Sequence, residues 1–338
     1  GVQTCALPIS GMDLSRIANC ASTIVRRASL VAHKVQKDFS SGNHFVKSDS
    51  SPVTMMDFAI QASIALFLQR NVPEIPFRMI AEEDSTILRS YDRQAQEKVQ
   101  SYVTSILGTQ EDIGLILDTL DRCKYNGDLS KEYWVLDPID GTKGFISNAN
   151  FAVGLALMQK GSAVLGVVGC VNLPFSPNEV LPAPSAKSGC LAVAIRKHGS
   201  TLYDLFSDAH RSLVLTQPHH FTYTAAVSRQ RINHSETFAR LCEAMHLSLP
   251  VLEVDSMCKY VMVAMGCAEM YFRENVDLSY RENVWDHAAG SIVLEEAGGS
   301  VTDLDGKKLD FLQGTKLLKN RGILATVPEE YPKILDVL

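Results

Sequence analysis

The chain has 338 residues, 46% hydrophobic and 21% charged, with a formal net charge of −6. That length predicts one large domain or two closely joined ones, with the makeup of a soluble globular protein. It excludes a membrane span, since no apolar run nears roughly 20 residues, and disfavours a nucleic-acid polymer partner, since no Lys/Arg block offsets the acidic balance.

In chain order, Gly1-Val-Gln-Thr-Cys-Ala-Leu-Pro-Ile9 reads as a translated sequencing-library adapter and is set aside from the fold. Cys5 goes with it, and the other cysteines form no Cys-x-x-Cys pair. A reduced compartment is expected, not a disulfide framework or zinc site. That means the cytoplasm, or an organelle had a transit peptide come first. Apolar residues recur at helical spacing from Asp13 to Phe39 and from Thr54 to Gln69, with a polar, mobile loop between, Ser40 to Pro52. Phe77–Ala81 reads as a short strand and Gln94–Leu107 as a helix; between Gly108 and Lys131 no pattern stands out. Strands follow at Tyr133–Leu136, Phe151–Met158 and Val164–Val171, the last two joined by a Lys160-Gly161 hairpin.

The Pro- and Ser-rich stretch Ser176 to Gly189 is the expected seam, dividing residues 10–185 from residues 186–338. Beyond it, strands are predicted at Cys190–Arg196, Thr222–Val227, Val251–Val254, Met270–Arg273 and Ile323–Val327. Helices are predicted at His234–Met245, Ser256–Met265 and Trp285–Ala297. Periodicity by itself supports a mixed α/β chain and no finer class.

The chemistry concentrates in Asp137-Pro138-Ile139-Asp140-Gly141-Thr142, placed where the strand Tyr133–Leu136 breaks into a loop. Two carboxylates so close repel strongly unless a cation lies between them, and hard oxygen ligands favour Mg²⁺ over Zn²⁺. Gly141 lets backbone amides approach an anion, and Thr142 adds a hydroxyl. Such a hexapeptide also occurs as an ordinary turn with two solvated Asp residues. Two further acidic sites weigh against that reading: Glu82-Glu83-Asp84 at a strand end, and Asp286 at or near the N-cap of a helix.

Together Glu82-Glu83, Asp137 to Thr142 and Trp285-Asp-His-Ala-Ala-Gly290 resemble the inositol monophosphatase superfamily of Mg²⁺-dependent, lithium-sensitive phosphatases. Within it the chain is most similar to the 3′(2′),5′-bisphosphate nucleotidases. The closer features are Ser51-Pro-Val-Thr54 with Asp57, Lys143-Gly-Phe145, Leu278-Ser-Tyr280 and Glu296-Ala-Gly-Gly299. The resemblance runs from about Leu14 to the C-terminus. It implies a layered α/β/α/β/α sandwich, with most metal ligands in residues 10–185 and with Asp286 and the substrate contacts in residues 186–338. Two or three Mg²⁺ ions are implied. Glu82, Asp137 and the Ile139 carbonyl would hold the first, Asp137, Asp140 and Asp286 the second, and Glu83 would touch a third. Asp57, hydrogen-bonded to Thr142, would orient the attacking water; by residue type alone Asp57 is a helix-surface carboxylate. The Gly141 and Thr142 amides would hold the scissile phosphate. Ser256 and Lys259 would contact the nucleotide phosphates, with Arg273 and His234 at the substrate's edge. His287 and Trp285 are read as packing residues.

Three functions stay open on the sequence. The first is a phosphatase removing the 3′-phosphate of adenosine 3′,5′-bisphosphate and, by extension, acting on its 5′-phosphosulfate relative. The second is a phosphatase for inositol phosphates or another small polyol phosphate. The third is a silent nucleotide-binding or scaffold protein, disfavoured because every ligand position is intact. Two departures from the nucleotidase pattern touch the specificity pocket and not the metal site: Ser147-Asn-Ala-Asn150, and Arg231-Ile232-Asn233 ahead of His234. The expected partner is a small nucleotide, with no membrane and no nucleic-acid polymer. The oligomeric state is left open, and a monomer suffices.

Overall fold

The computed structural model describes residues 12–38, 44–46, 52–176, 188–215, 223–227, 236–245, 250–275, 277 and 279–338. The first half holds α1 (Leu14–Lys37), β1 (His44–Val46), β2 (Pro52–Thr54), α2 (Met55–Asn71), β3 (Met79–Ala81), α3 (Thr86–Ser90), α4 (Arg93–Leu107) and α5 (Ile113–Asp121). Next come β4 (Tyr133–Asp140), α6 (Thr142–Ile146), β5 (Phe151–Gln159), β6 (Ser162–Val171), β7 (Gly189–Ile195), β8 (Gly199–Asp204) and β9 (His210–Leu213). The remainder is β10 (Tyr223–Val227), α7 (Glu236–Ala244), β11 (Val251–Glu253), α8 (Cys258–Ala264), β12 (Ala268–Arg273), α9 (Ala288–Glu296), β13 (Ser300–Thr302), β14 (Ile323–Thr326) and α10 (Tyr331–Val337).

Five layers result, as the resemblance implies. A seven-stranded sheet in the order β3-β4-β5-β6-β7-β8-β9 faces a five-stranded one in the order β11-β10-β12-β14-β13. Period-two alternation sends the side chains of one strand into two cores. Trp134 and Leu136 of β4 pack with α1 and α2, whereas Tyr133 and Val135 pack with α8 and α9 between the sheets. On the far side Met270 and Phe272 of β12 meet Phe238 and Leu241 of α7 and Ile334 of α10.

Several elements differ from their sequence reading. The strand at Tyr133 does not break at Leu136 but runs to Asp140. It keeps pairing with β5 (Asp137 opposite Gly154, Asp140 opposite Ala152), with a register shift between the two acids. A bulge accommodates Pro138, which lacks a ladder donor, and turns the following side chains. The seven-stranded sheet also continues through β7, β8 and β9, so the change of sheet falls between Leu213 and Tyr223 and not at residue 185. Within the stretch read as loop, β1 pairs antiparallel with β2, His44 opposite Thr54; residues 39–43 and 47–51 lie outside the described residues. So do residues 177–187 of the expected seam.

Close approach of α9 to the large sheet depends on glycine. A Cβ on Gly166 would lie 2.3 Å from Ile292 Cγ2 and 2.7 Å from the Ala289 carbonyl oxygen. Gly166→Val is therefore expected to push α9 off β6 and lower unfolding stability by about 1–3 kcal/mol, the usual effect of overpacking. Denaturant unfolding checks this, and an unchanged midpoint would contradict it.

Candidate active site

Three carboxylates meet at the end of β4 and the turn before α9. Ligand oxygens of Asp137, Asp140 and Asp286 all lie within 4.8 Å of one another. β4 carries the first two, and the turn that leads directly into buried α9 brings in the third. The α9 N-cap is His287, so Asp286 lies next to the cap, in the turn ahead of the helix.

The electrostatics are those of like charges gathered in a buried space. Burial, then repulsion from Glu82, Asp140, Asp286 and Asp57, holds Asp137 well above the usual carboxylate range. Asp140 is pushed up to about 6 by burial, with Lys259 and the Met257 amide opposing and Glu82 adding to the rise. Asp286 is pushed up to about 7 by burial and by Asp140, against His287 and Arg273. Asp137 Oδ1 is buried with no hydrogen-bond partner. A buried carboxylate oxygen without a donor is rare unless an ion takes the donor's place. The donor set is all oxygen, which suits a hard divalent cation.

The supporting residues follow from local chemistry. Thr54 caps α2 and Asp57 closes its capping box, accepting from the Thr54 amide (2.8 Å) and hydroxyl (2.6 Å). Asp57 is 0% exposed, so it is not the helix-surface carboxylate of the sequence alternative. The Thr142 hydroxyl donates to the Ile139 carbonyl at 3.1 Å, where the resemblance implies a bond to Asp57. Gly141, at φ +86°, begins α6 in a left-handed conformation that disfavours any side chain. A Cβ there would come within 3.2 Å of Ser256 Cβ. Glu83 is buried, and its backbone is clamped by Gln61 of α2, which donates to its carbonyl (2.7 Å) and accepts from its amide (3.0 Å). Glu82 is partly buried at the end of β3, near enough to act on all three Asp groups.

Two of the expected substrate contacts have partners within the protein. Lys259 is 2% exposed; its Nζ donates to the Val254 carbonyl (3.3 Å) and lies 5.0 Å from the Tyr271 ring centroid. Burial lowers its pKa to about 8, with Asp140 opposing. Every residue of α8 is buried in the layer between the sheets, so this lysine faces Asp140 from within and not from an open surface. The Arg273 guanidinium is engaged by Glu282 (Nε to Oε1 2.8 Å, Nη2 to Oε2 2.7 Å). Ser256, at φ +75°, is buried beside Gly141, and its hydroxyl accepts from the Cys258 amide (3.3 Å). His234 lies outside the described residues. Sequence reasoning missed the Met257 amide, which donates to Asp140 Oδ2, and Glu282, which bonds both Arg273 and His287. A backbone donor leaves no sequence signal, and Glu282 differs in no local way from a surface acid.

The chain is similar to known proteins along nearly its whole length. The profile of the inositol monophosphatase family matches residues 13–336. A protein of Dictyostelium discoideum named 3′(2′),5′-bisphosphate nucleotidase is 34% identical over 320 residues, covering 93% of each chain. An Arabidopsis thaliana protein named 3′,5′-bisphosphate nucleotidase 2 is 32% identical, covering 97% of each. Among solved structures, staphylococcal inositol monophosphatase-1 superposes with a TM-score of 0.63 at 17% identity, over 97% of this chain and 96% of that one, a likeness of fold. With the profile running almost end to end and relatives above 30% identity over nearly their whole length, the chain belongs to the inositol monophosphatase family.

Proposed function

We propose that the chain is a Mg²⁺-dependent phosphoric monoester hydrolase that removes the 3′-phosphate of adenosine 3′,5′-bisphosphate, yielding AMP and phosphate. The convergence of Asp137, Asp140 and Asp286 carries the reaction class. The nucleotide assignment is supported by the names of the relatives above, and it extends to the 5′-phosphosulfate analogue. The proposed division of labour puts most cation ligands on the seven-stranded-sheet half and Asp286 with the substrate contacts on the other.

Divalent cations bound there would neutralise the ester's charge and lower the pKa of a bound water. Glu82, Asp137 and the Ile139 carbonyl would hold one ion, Asp137, Asp140 and Asp286 a second, and Glu83 would touch a third. Asp57 and Thr142 orient the attacking water, the Thr142 hydroxyl turning from Ile139 to do so. The backbone amides of Gly141 and Thr142 steady the scissile phosphate. Ser256 borders that position across Gly141. Lys259 contributes by offsetting the charge of Asp140 from beneath, in addition to its pull on phosphate. Arg273 and His234 are assigned to the nucleoside end.

Parallel assays of phosphate release test the substrate class. With Mg²⁺ present, adenosine 3′,5′-bisphosphate should be turned over at least about tenfold more efficiently than inositol 1,4-bisphosphate, roughly 1.4 kcal/mol of discrimination. Faster release from the inositol ester would reassign the enzyme to polyol phosphates, and release from neither would favour a silent binding protein.

A further inference from the structure

Asp286 joins the carboxylates from a turn, which by itself is a poor platform for a ligand. Beside the backbone bonds from Val284 to Thr315 and from Leu317 to Glu282, a chain of four side chains, three of them buried, reaches the turn. Arg273 of β12 bonds both oxygens of Glu282. Glu282 Oε2 lies 3.2 Å from His287 Nε2, and His287 Nδ1 lies 2.9 Å from the Tyr260 hydroxyl of α8. Glu282 is 2% exposed, and His287 and Tyr260 are fully buried. A carboxylate already accepting from arginine can only accept from imidazole, so Nε2 donates; in the neutral ring Nδ1 is then the acceptor for the Tyr260 hydroxyl. Both ring nitrogens are thereby fixed, in the residue next to Asp286.

Glu282, Asp286 and His287 also lie within 4.8 Å of one another, a spacing that could hold an ion. Glu282 and His287 already have hydrogen-bond partners, however, whereas Asp137 in the neighbouring group keeps a buried oxygen without one. The Glu282 group is thus satisfied by hydrogen bonds, and its chemistry is that of a support. Its far end is anchored in α8, directly after the Met257 amide that donates to Asp140.

We propose that Tyr260, His287, Glu282 and Arg273 are positioning residues that fix Asp286 relative to Asp140, with α8 as their common reference. The inference rests on the reading of the three carboxylates as a divalent-cation site. Breaking the chain leaves every ligand in place but loosens one of them. Outer partners of this kind typically change metal affinity 10–100-fold.

The test is calorimetric titration of Mn²⁺ into the chelator-stripped full chain. Tyr260→Phe removes only the hydroxyl and keeps the ring against Tyr271, 5.0 Å away between centroids. Glu282→Gln keeps the volume and serves if the first variant fails to fold by circular dichroism. At least one ion should bind about tenfold or more weakly in each folded variant, and raised Mn²⁺ should restore turnover. An unaltered Kd in folded variants overturns the positioning role, as does a loss of thermal stability with no change in Kd. Should the unaltered protein bind no Mn²⁺ at all, the cation reading itself fails, an outcome distinct from failure of the positioning role.

Discussion

Asp137→Asn is expected to reduce turnover by more than about a hundredfold, beyond the 10–100-fold typical of an outer-shell contact, while leaving the metal-free protein at least as stable as before. Asp137 is the carboxylate assigned to both principal ions, so its loss removes a ligand from each. The stability half of the prediction comes from the same charges. Burial and four neighbouring acids disfavour the Asp137 anion when no cation balances it. A neutral amide of equal volume removes that repulsion. Steady-state rates at saturating Mg²⁺, with thermal melts in chelator, check both halves. A near-normal rate would sink the ligand assignment, and a large loss of stability in chelator would make Asp137 a structural residue.

Divalent-cation removal should destabilise the protein, and more so at pH 8 than at pH 5.5. The folded pKa values of Asp140 and Asp286 are raised, to about 6 and about 7. The unfolded chain titrates its Asp residues near 3.9. A raised acid contributes stability that is fully present below the unfolded value and is lost as pH rises through the folded one. The stripped protein therefore weakens between about pH 4 and pH 8, by on the order of a few kcal/mol at about 1.4 kcal/mol per unit. Bound Mg²⁺ reverses the loss; at a concentration of about 100 times Kd it contributes about 2.7 kcal/mol. At pH 5.5 part of that gain is consumed in displacing protons. Melts in Mg²⁺ and in chelator at the two pH values give the increment directly. An increment independent of pH would mean that the three carboxylates do not bind the ion.

The local chemistry of the site is legible where neighbouring residues act together. Asp137 and Asp140 with the intervening Pro, and the Thr54–Asp57 capping pair at the start of α2, are visible in short windows. Helix and strand positions around them follow from periodicity in α1 and β5. The same approach fails for β4 beyond Leu136, because pairing with β5 and not side-chain pattern keeps the strand going through Pro138. It also passes over α5, β8 and β9. Nothing in a local window around Lys259 signals that the layer between the sheets buries it.

What the amino-acid order determined alone is the inventory: three acidic segments, a Gly-Thr step, a capped helix and the likeness to one phosphatase family. Those features are short-range, set by the backbone preferences and charges of adjacent residues. Only the tertiary structure decided which acids share an ion-sized space, that Arg273 faces Glu282, and that the start of α8 meets Asp140 at the Met257 amide and His287 at Tyr260. These contacts join residues up to 149 positions apart in the case of Asp137 and Asp286, as their numbering shows. Such distances are closed by the packing of two sheets around one helical layer, a global balance of burial and chain entropy that no local window contains.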